Sequence, residues 1–572
     1  MSPRRRKWEV SSGNPEIETD LVRSLGISGP VARVLVNRGI TNVKAAGAFL
    51  SPDIANLHDP FDVPDMAAAV SRLVRAVGAG ERIRVYGDYD VDGITGVSLL
   101  VTVLRAAGAL VDYYIPNRLD EGYGLNIEAV ERAGADSVSL LLTVDCGIGA
   151  VAEVERARDL GVDVIVTDHH EPGRALPRCV GVLDPKRKDS CYPFSELAGV
   201  GVAFKLCQAL WGAIGRPAGA ADPLNHLDLV ALGTIADVVP LLDENRVIAK
   251  CGLEAMHGSE NPGISCLLDV SGLTGQELSS GHVGFSLAPR INACGRLGDP
   301  SLGAELFLTD SPDRARQLAE SLDEENRRRQ GIEEDILREA LEPVKKMNPA
   351  SVRAIVLESD TWHTGVIGIV ASKIAELTFR PTVLIAIENG TGKGSGRSIP
   401  GFNLHSALTE CSDLLIKYGG HAQAAGLSIR QEDVPRFRER LNQIGHEWLA
   451  DQDLIPTVRV DSELREDQIT VGLASELETL EPFGLGNPNP LFLTRNLFIL
   501  QHRTVGADGR HLKLKLGRGD RVLDAIGFRM GERYSRLVSC SGQVDAVYAL
   551  EVNRWNGRQA AELNLRDLRE SG

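Results

Sequence analysis

The sequence predicts a multidomain α/β protein: a parallel-sheet domain first, a long helical spacer, a second α/β domain and a small β-barrel last. Three observations carry that prediction. From about residue 80 to 240, short apolar runs alternate with amphipathic helical stretches, the signature of a doubly wound parallel sheet. A helix-patterned stretch covers about 300–345, and a second, shorter α/β alternation follows over about 350–445. From about 455 onward the chain breaks into short alternating strands, which suit a small barrel. A length of 572 residues is that of three or four domains.

Each element has a local reason. Residues 1–60 carry short helical patterns and no identifiable chemistry. In the block 61–255, strands are expected at 82–87, 111–115, 138–144, 162–167 and 180–183, each an apolar run of strand length. The spacer, 256–345, contains a helix that opens at Ser311-Pro312, a cap followed by proline in the first turn. Gly331 weakens that helix without ending it, and the charges of Asn326-Arg327-Arg328-Arg329 read as a solvated face. In 346–448, residues 354–357 and 382–386 read as strands and Asn389-Gly390 as a hairpin turn. In 455–570, strands are expected at 511–516, 521–528 and 545–552. Alternation in His511-Leu512-Lys513-Leu514-Lys515-Leu516 puts three leucines on one face and His511, Lys513 and Lys515 on a basic exterior.

Composition narrows the class of protein. Hydrophobic residues at 43% and charged residues at 24% are ordinary for globular domains. No apolar run approaches the roughly 18 residues of a membrane helix. The basic start, Met1 to Lys7, is followed by no apolar stretch, so no secretory signal is expected. Nine cysteines are scattered singly without a C-x-x-C pair, which points to reduced thiols in a cytoplasm and away from structural zinc. A net charge of −16 argues against indiscriminate coating of duplex DNA but leaves room for local basic clusters.

The chemistry concentrates in Asp88-Tyr89-Asp90-Val91-Asp92-Gly93, directly after the first strand. Read as extended chain, the period-two spacing points all three carboxylates the same way. Like charges so crowded raise one another's pKa, so they call for a hard divalent cation with oxygen ligands, Mg2+ or Mn2+. An EF-hand loop opens with the same pattern, but it needs a glutamate at its twelfth position, which is Leu99, and a helix leading in. Capping of the following helix accounts for Asp92 only in part. The strand at 138–144 runs into Asp145-Cys146-Gly147, and that at 162–167 into Asp168-His169-His170. Ligands bind beyond the carboxyl ends of parallel strands, so these groups are expected to converge. The apolar helix over 228–237 ends in Asp237, where a carboxylate opposes the helix dipole and is better explained by a cation. A two-ion site follows, bridged by Asp145, whose strand lies between the other two in sequence. Two ions about 4 Å apart activate water for attack on phosphorus, which suits phosphoester hydrolysis. Arg118, Arg290 and Arg397 are candidate bidentate donors to a substrate phosphate. Ser395 and Arg397 lie in a Gly-rich run, 394–398, whose amides can approach phosphate closely. Tyr123 is a candidate to stack on a base.

These residues resemble a known family. The aspartate run, Asp145, Asp168-His169-His170 and Asp237 are similar to the four motifs of the DHH phosphoesterases. Gly419-Gly420-His421-Ala422-Gln423-Ala424-Ala425-Gly426 resembles the motif of the associated DHHA1 domain. Together with 115–118, 121–124, 288–292 and 482–488, the ordered set is similar to the single-strand-specific 5′-to-3′ exonucleases of that family. The resemblance implies a DHH catalytic domain over 61–255, a DHHA1 domain over 346–448 and an OB-like barrel that binds nucleic acid over 455–570. It implies metal ligation by Asp90, Asp92, Asp145, His169 and Asp237, with Asp88 a further candidate. It also implies a contact of His170 with the scissile phosphate or leaving group, and a grip on the 5′ end by Arg397 and His421. The implied activity is two-metal release of 5′-mononucleotides from single-stranded DNA in repair and recombination, with Mn2+ or Mg2+. The expected partners are single-stranded DNA, a helicase and a single-strand-binding protein, with a monomeric cytoplasmic chain and no membrane. A small dinucleotide phosphodiesterase and a non-catalytic scaffold are the alternatives. The long spacer and basic barrel count against the first, and the intact ligand set against the second.

Overall fold

Five parallel strands form the first sheet: β1 (Arg82–Gly87), β2 (Leu110–Tyr114), β3 (Leu140–Val144), β4 (Asp163–Thr167) and β5 (Gly181–Leu183). Their order is 2-1-3-4-5, so the direction of winding reverses between β1 and β3. Ile83, Val85, Leu140 and Leu142 face one core, shared with the helices Met66–Ala79, Val91–Ala106 and Gly199–Ala213. Tyr86 and Leu141 face the other, onto Ile127–Ala135 and Val151–Asp159. Coverage on both faces is why these strands read as unbroken apolar runs.

The computed structural model describes residues 6–117, 121–215, 222–506, 509–518, 521–540, 542–555 and 557–571. They divide into two units, one holding Val10–Asp323 and Arg459–Gly572, the other Glu324–Val458. The boundary falls inside the helix Pro312–Lys346. Ile264, Val283, Ile291, Phe307 and Leu318 join the first core, so most of the expected spacer packs as part of the first domain. The expected solvated face is corrected at Asn326, Arg329 and Glu333, which are buried. Arg329 donates to Asn326 Oδ1 at 3.1 Å and pairs with Glu333 at 2.5 Å. These residues lie three and four positions apart on one helical stripe, and Lys373 of the helix Ile367–Thr378 also pairs with Glu333. Among the described residues no helix is long and apolar enough to cross a membrane.

In the second unit, β6 (Ile355–Ser359), β7 (Thr382–Glu388), β8 (Thr391–Arg397), β9 (Leu415–Gly420) and β10 (Ala424–Arg430) form a sheet in the order 9-10-8-7-6. Asn389 and Gly390, at φ 50° and 77°, close the β7–β8 hairpin. The Gly-rich run, its amides expected to approach phosphate, lies in β8, hydrogen-bonded to β7 and β10 on its two sides. Its amides serve the ladder. Alternation explains the glycines: a Cβ on Gly392, Gly394 or Gly396 would strike Ile385, Leu427 or Leu404, so a close-packed layer excludes side chains there.

The C-terminal strands are β11 (Phe492–Val505), β12 (His511–Arg518), β13 (Arg521–Gly527), β14 (Gln543–Trp555) and β15 (Arg558–Glu570). They pair as 11-12-13-15-14, and β14 returns to β11, closing a five-stranded barrel. Leu512, Leu514 and Leu516 point inward as expected, into a core shared with Leu21, Val34, Leu35 and Phe49. The N-terminal helices over 15–50 thus pack on the barrel unit. The basic exterior is corrected: Lys513 pairs with Glu562 at 2.6 Å and Lys515 with Asp524 at 3.5 Å, because neighbouring strands place carboxylates opposite them.

Candidate metal centre

Gly87, Val144, Thr167 and Leu183 are register partners across the first sheet. The next residue in each strand is an aspartate: Asp88, Asp145, Asp168 and Asp184. Four carboxylates therefore stand in a row along the carboxyl edge, at the winding reversal where open α/β sheets place their ligands.

The aspartate run after β1 does not stay extended, which corrects the expectation that its three carboxylates share one direction. Asp90 caps the helix Val91–Ala106, its Oδ1 accepting the amides of Asp92 at 3.0 Å and Gly93 at 3.2 Å. Helical turning then splits the run. Asp88 and Asp90 gather with Asp145, while Asp92 gathers with His169 and Asp237. Asp145, His169 and His170 form a third group, and in each the candidate ligand atoms lie within 4.8 Å of one another. His169 Nε2 is 3.1 Å from Asp145 Oδ1, 3.6 Å from Asp237 Oδ2 and 3.8 Å from Asp92 Oδ2.

The surrounding chain is shaped to hold this geometry. Asp92 accepts the amides of Gly199 at 2.6 Å and Val200 at 2.7 Å, where the helix Gly199–Ala213 begins. A Cβ on Gly199 would stand 2.7 Å from that of Asp145, so only glycine permits the approach. Asp145 itself has φ 60°, and Val238, next to Asp237, has φ 63°. The latter is costly for a β-branched residue, and such strain concentrates at functional sites.

The electrostatics are one-sided. Burial, then Asp92, Asp90 and Asp88, hold the Asp145 carboxyl well above its usual range. Asp92 is pushed up to about 7 by burial and Asp90, and Asp237 up to about 9 by burial, Asp92 and Asp90. Burial and the neighbouring His170 push His169 down to about 3, leaving a neutral imidazole. Asp145 Oδ1 and both ring nitrogens of His169 are buried without a well-formed hydrogen bond. Oxygen donors with one imidazole fit Mn2+ or Mg2+. Cys146 is no competing ligand, since burial, then Asp168, keeps its thiol protonated.

Asp168 stands outside these groups. It accepts the amides of Ile148, His169 and His170, and Oδ1 lies 2.7 Å from His170 Nδ1. Against the downward pull of burial, that bond holds the His170 imidazole above its ordinary pKa. Tyr123 Oη lies 3.2 Å from His170 Nδ1 and donates to the Asp145 carbonyl at 3.2 Å, which brings Tyr123 to the rim of the cluster.

The phosphate candidates are placed differently. Arg118 lies outside the described residues. Arg290 pairs with Asp323 at 2.9 Å and donates to the Ser286 carbonyl at 2.7 Å. Its helix, Ala288–Leu297, instead reaches the aspartate run through Asn292, whose Oδ1 accepts the Val91 amide at 3.2 Å. In the second unit, Arg397 donates to Ser395 Oγ at 3.1 Å. Arg397 is the register partner of Ala424, whose carbonyl accepts the His421 amide at 2.8 Å, so Ser395, Arg397 and His421 share one end of that sheet. Sequence reasoning passed over Asn292 and Asp184. The signal for Asp184 was present, a strand running directly into aspartate as in the other three.

Three families match the chain: the DHH family, N-terminal domain, over 82–234, the DHHA1 domain over 330–447 and the RecJ OB domain over 460–567. A Bacillus subtilis protein named single-stranded-DNA-specific exonuclease RecJ is 40% identical over 569 residues, 99% of this chain and 71% of that one. RecJ of Thermus thermophilus in complex with Mn2+ superposes with a TM-score of 0.85 at 35% identity, over 99% of this chain and 80% of that one. The same protein in complex with Mg2+ gives 0.79 at 33%, over 99% and 79%.

Proposed function

The chain belongs to the RecJ family, and from that premise we propose that it degrades single-stranded DNA from the 5′ end, releasing 5′-mononucleotides. It is a hydrolase of the DHH type that uses Mn2+ or Mg2+. The observation that carries the reading is the splitting of one aspartate run into two ligand groups, with Asp145 belonging to one and touching His169 of the other. Asp88, Asp90 and Asp145 would hold one ion, and Asp92, His169 and Asp237 the second, with Asp145 shared.

Two such ions supply Lewis acidity at the scissile phosphate and bring the pKa of water near neutrality. The protein's own residues do the rest. His170, whose imidazole Asp168 holds above its ordinary pKa, donates when protonated to the phosphate or to the departing 3′-oxygen as the P–O3′ bond breaks. Tyr123 orients His170 and offers its open ring to a base. Ser395, Arg397 and His421 take the 5′-terminal phosphate, since a guanidinium fork beside a hydroxyl suits a phosphate dianion. Arg118 and Arg290 contact the strand. The barrel follows the strand further along, as OB-folds do. We assign catalysis to 61–255, with 256–345 connecting it to the phosphate-gripping domain, 346–448, and the barrel over 455–570. A helicase and a single-strand-binding protein would supply and protect the substrate, and the chain would act as a cytoplasmic monomer.

Digestion of a 3′-labelled single strand with Mn2+ tests the reading. A 3′-anchored ladder that shortens with time, absent on blunt duplex and with Asp145→Ala, is the expected result. Intact long strands alongside hydrolysed dinucleotides would sink it.

A further inference from the structure

Lys186 lies two residues past Asp184, in the turn that leaves β5 along the same carboxyl edge. The Asp184 carboxylate accepts the Lys186 amide at 2.7 Å, which pins the turn. The Lys186 side chain is only 19% exposed, and its ion-pair partner Glu196 is 4.0 Å away. That separation is beyond hydrogen-bond range. A mostly buried ammonium whose carboxylate partner stands at the edge of ion-pair range is open to an arriving anion. Lys205 shows the contrast: it is fully buried, and it sits 2.5 Å from Glu244 and 2.8 Å from the His58 carbonyl. The charge of Lys186 reaches Asp237 and His169, opposing the carboxylates that surround them. Lys186 is thus a cation in the turn at the carboxyl edge, beside the row of Asp88, Asp145, Asp168 and Asp184.

Resting on the hydrolytic reading of this centre, we propose that Lys186 is a catalytic residue whose ammonium contacts a non-bridging oxygen of the scissile phosphate. As the oxygen of water adds to phosphorus and the P–O3′ bond breaks, its electron pair leaves on O3′ and negative charge grows on the non-bridging oxygens. A fixed ammonium there stabilises the transition state more than the bound strand. Asp184 is then a positioning residue that holds the turn.

Single-turnover cleavage, Mn2+ titration calorimetry and thermal melting of Lys186→Met, Lys186→Arg and Glu196→Gln test this. Lys186→Met should lower the cleavage rate by about 100-fold or more, with half-saturating strand concentration changed by less than about threefold. Lys186→Arg should recover roughly tenfold, because the charge is kept and the geometry is not. Glu196→Gln should stay within about twofold of wild type, since a pair at this separation is worth little. Mn2+ stoichiometry should be unchanged and affinity no weaker, because removing a positive charge cannot repel a cation. Lys186→Gln repeats the test if the methionine variant melts early. Near-wild-type cleavage by Lys186→Met, rescue of it by excess Mn2+, or an equal defect in Glu196→Gln would each overturn the proposal. Failure of the wild type to cleave at all would instead overturn the hydrolytic reading beneath it.

Discussion

Lys205 and Glu244 are fully buried, and Asp92 and Asp145 are nearly so, yet the two clusters are built on opposite terms. Around Lys205 every charge meets a partner. The ammonium touches Glu244 and the His58 carbonyl, and Glu244 also accepts the His58 amide and the Tyr192 hydroxyl. Arg246, equally buried, donates to the carbonyls of Phe49, Leu480, Thr479 and Glu481. At the sheet edge, five carboxylates meet a neutral imidazole, and Asp145 Oδ1 lacks a well-formed hydrogen bond. Burial of charge is therefore no sign of function by itself. Burial of carboxylates that outnumber the cations beside them is.

Four changes would break or sharpen that contrast. Asp145→Ala should lower the cleavage rate by roughly 10³-fold or more, while the metal-free protein melts no earlier than wild type because repulsion is relieved. Loss of melting temperature comparable to a core mutation would mean that Asp145 is structural. Glu244→Ala should do the reverse, costing about 3–5 kcal/mol by stranding Lys205, with the cleavage rate per folded molecule retained. Denaturant unfolding monitored beside activity separates the two cases.

The third change is of solution rather than sequence. In metal-free protein the raised carboxyls of Asp92, at about 7, and Asp237, at about 9, bind protons more tightly folded than unfolded. Their contribution to stability is complete below the unfolded carboxyl pKa and is lost as pH rises through those values. Metal-free melting should thus worsen from the ordinary carboxyl range up to about pH 9 and level off above it. Mn2+ at 100 times its dissociation constant should add about 2.7 kcal/mol and flatten the slope. A flat profile without metal would mean that the carboxylates are compensated internally. The smallest effect is expected at Val238, where replacement by glycine removes left-handed strain and should stabilise the fold by about 1 kcal/mol. It should also loosen Asp237 and weaken Mn2+ binding, which calorimetry would register.

Whatever depends on neighbours in sequence was legible. The strands of the first sheet begin and end within two residues of where apolar runs place them, because a strand covered on both faces must be apolar throughout. The turn at Asn389-Gly390 and the helix from Pro312 follow from backbone preferences of single residues. That aspartates after successive strands converge was also readable, since parallel strands bring their ends together. Grouping was not. Asp88, Asp90 and Asp92 are equivalent in the sequence, and only the onset of the helix at Val91 sends them to different partners. Asp168 looks like a ligand and is consumed by three amides and His170. Lys513 and Lys515 look like a nucleic-acid face until β13 and β15 set carboxylates beside them. The glycines of 394–396 look like a phosphate-binding run until Leu427 and Leu404 show that packing leaves no room for a Cβ. The sequence by itself determined which segments are strands and helices and which edge gathers charge, since those depend on local periodicity. Only the tertiary structure decided which charges are answered, since an ion pair or a shared ligand joins residues well apart in the chain, 49 positions for Lys513 and Glu562 and 145 for Asp92 and Asp237.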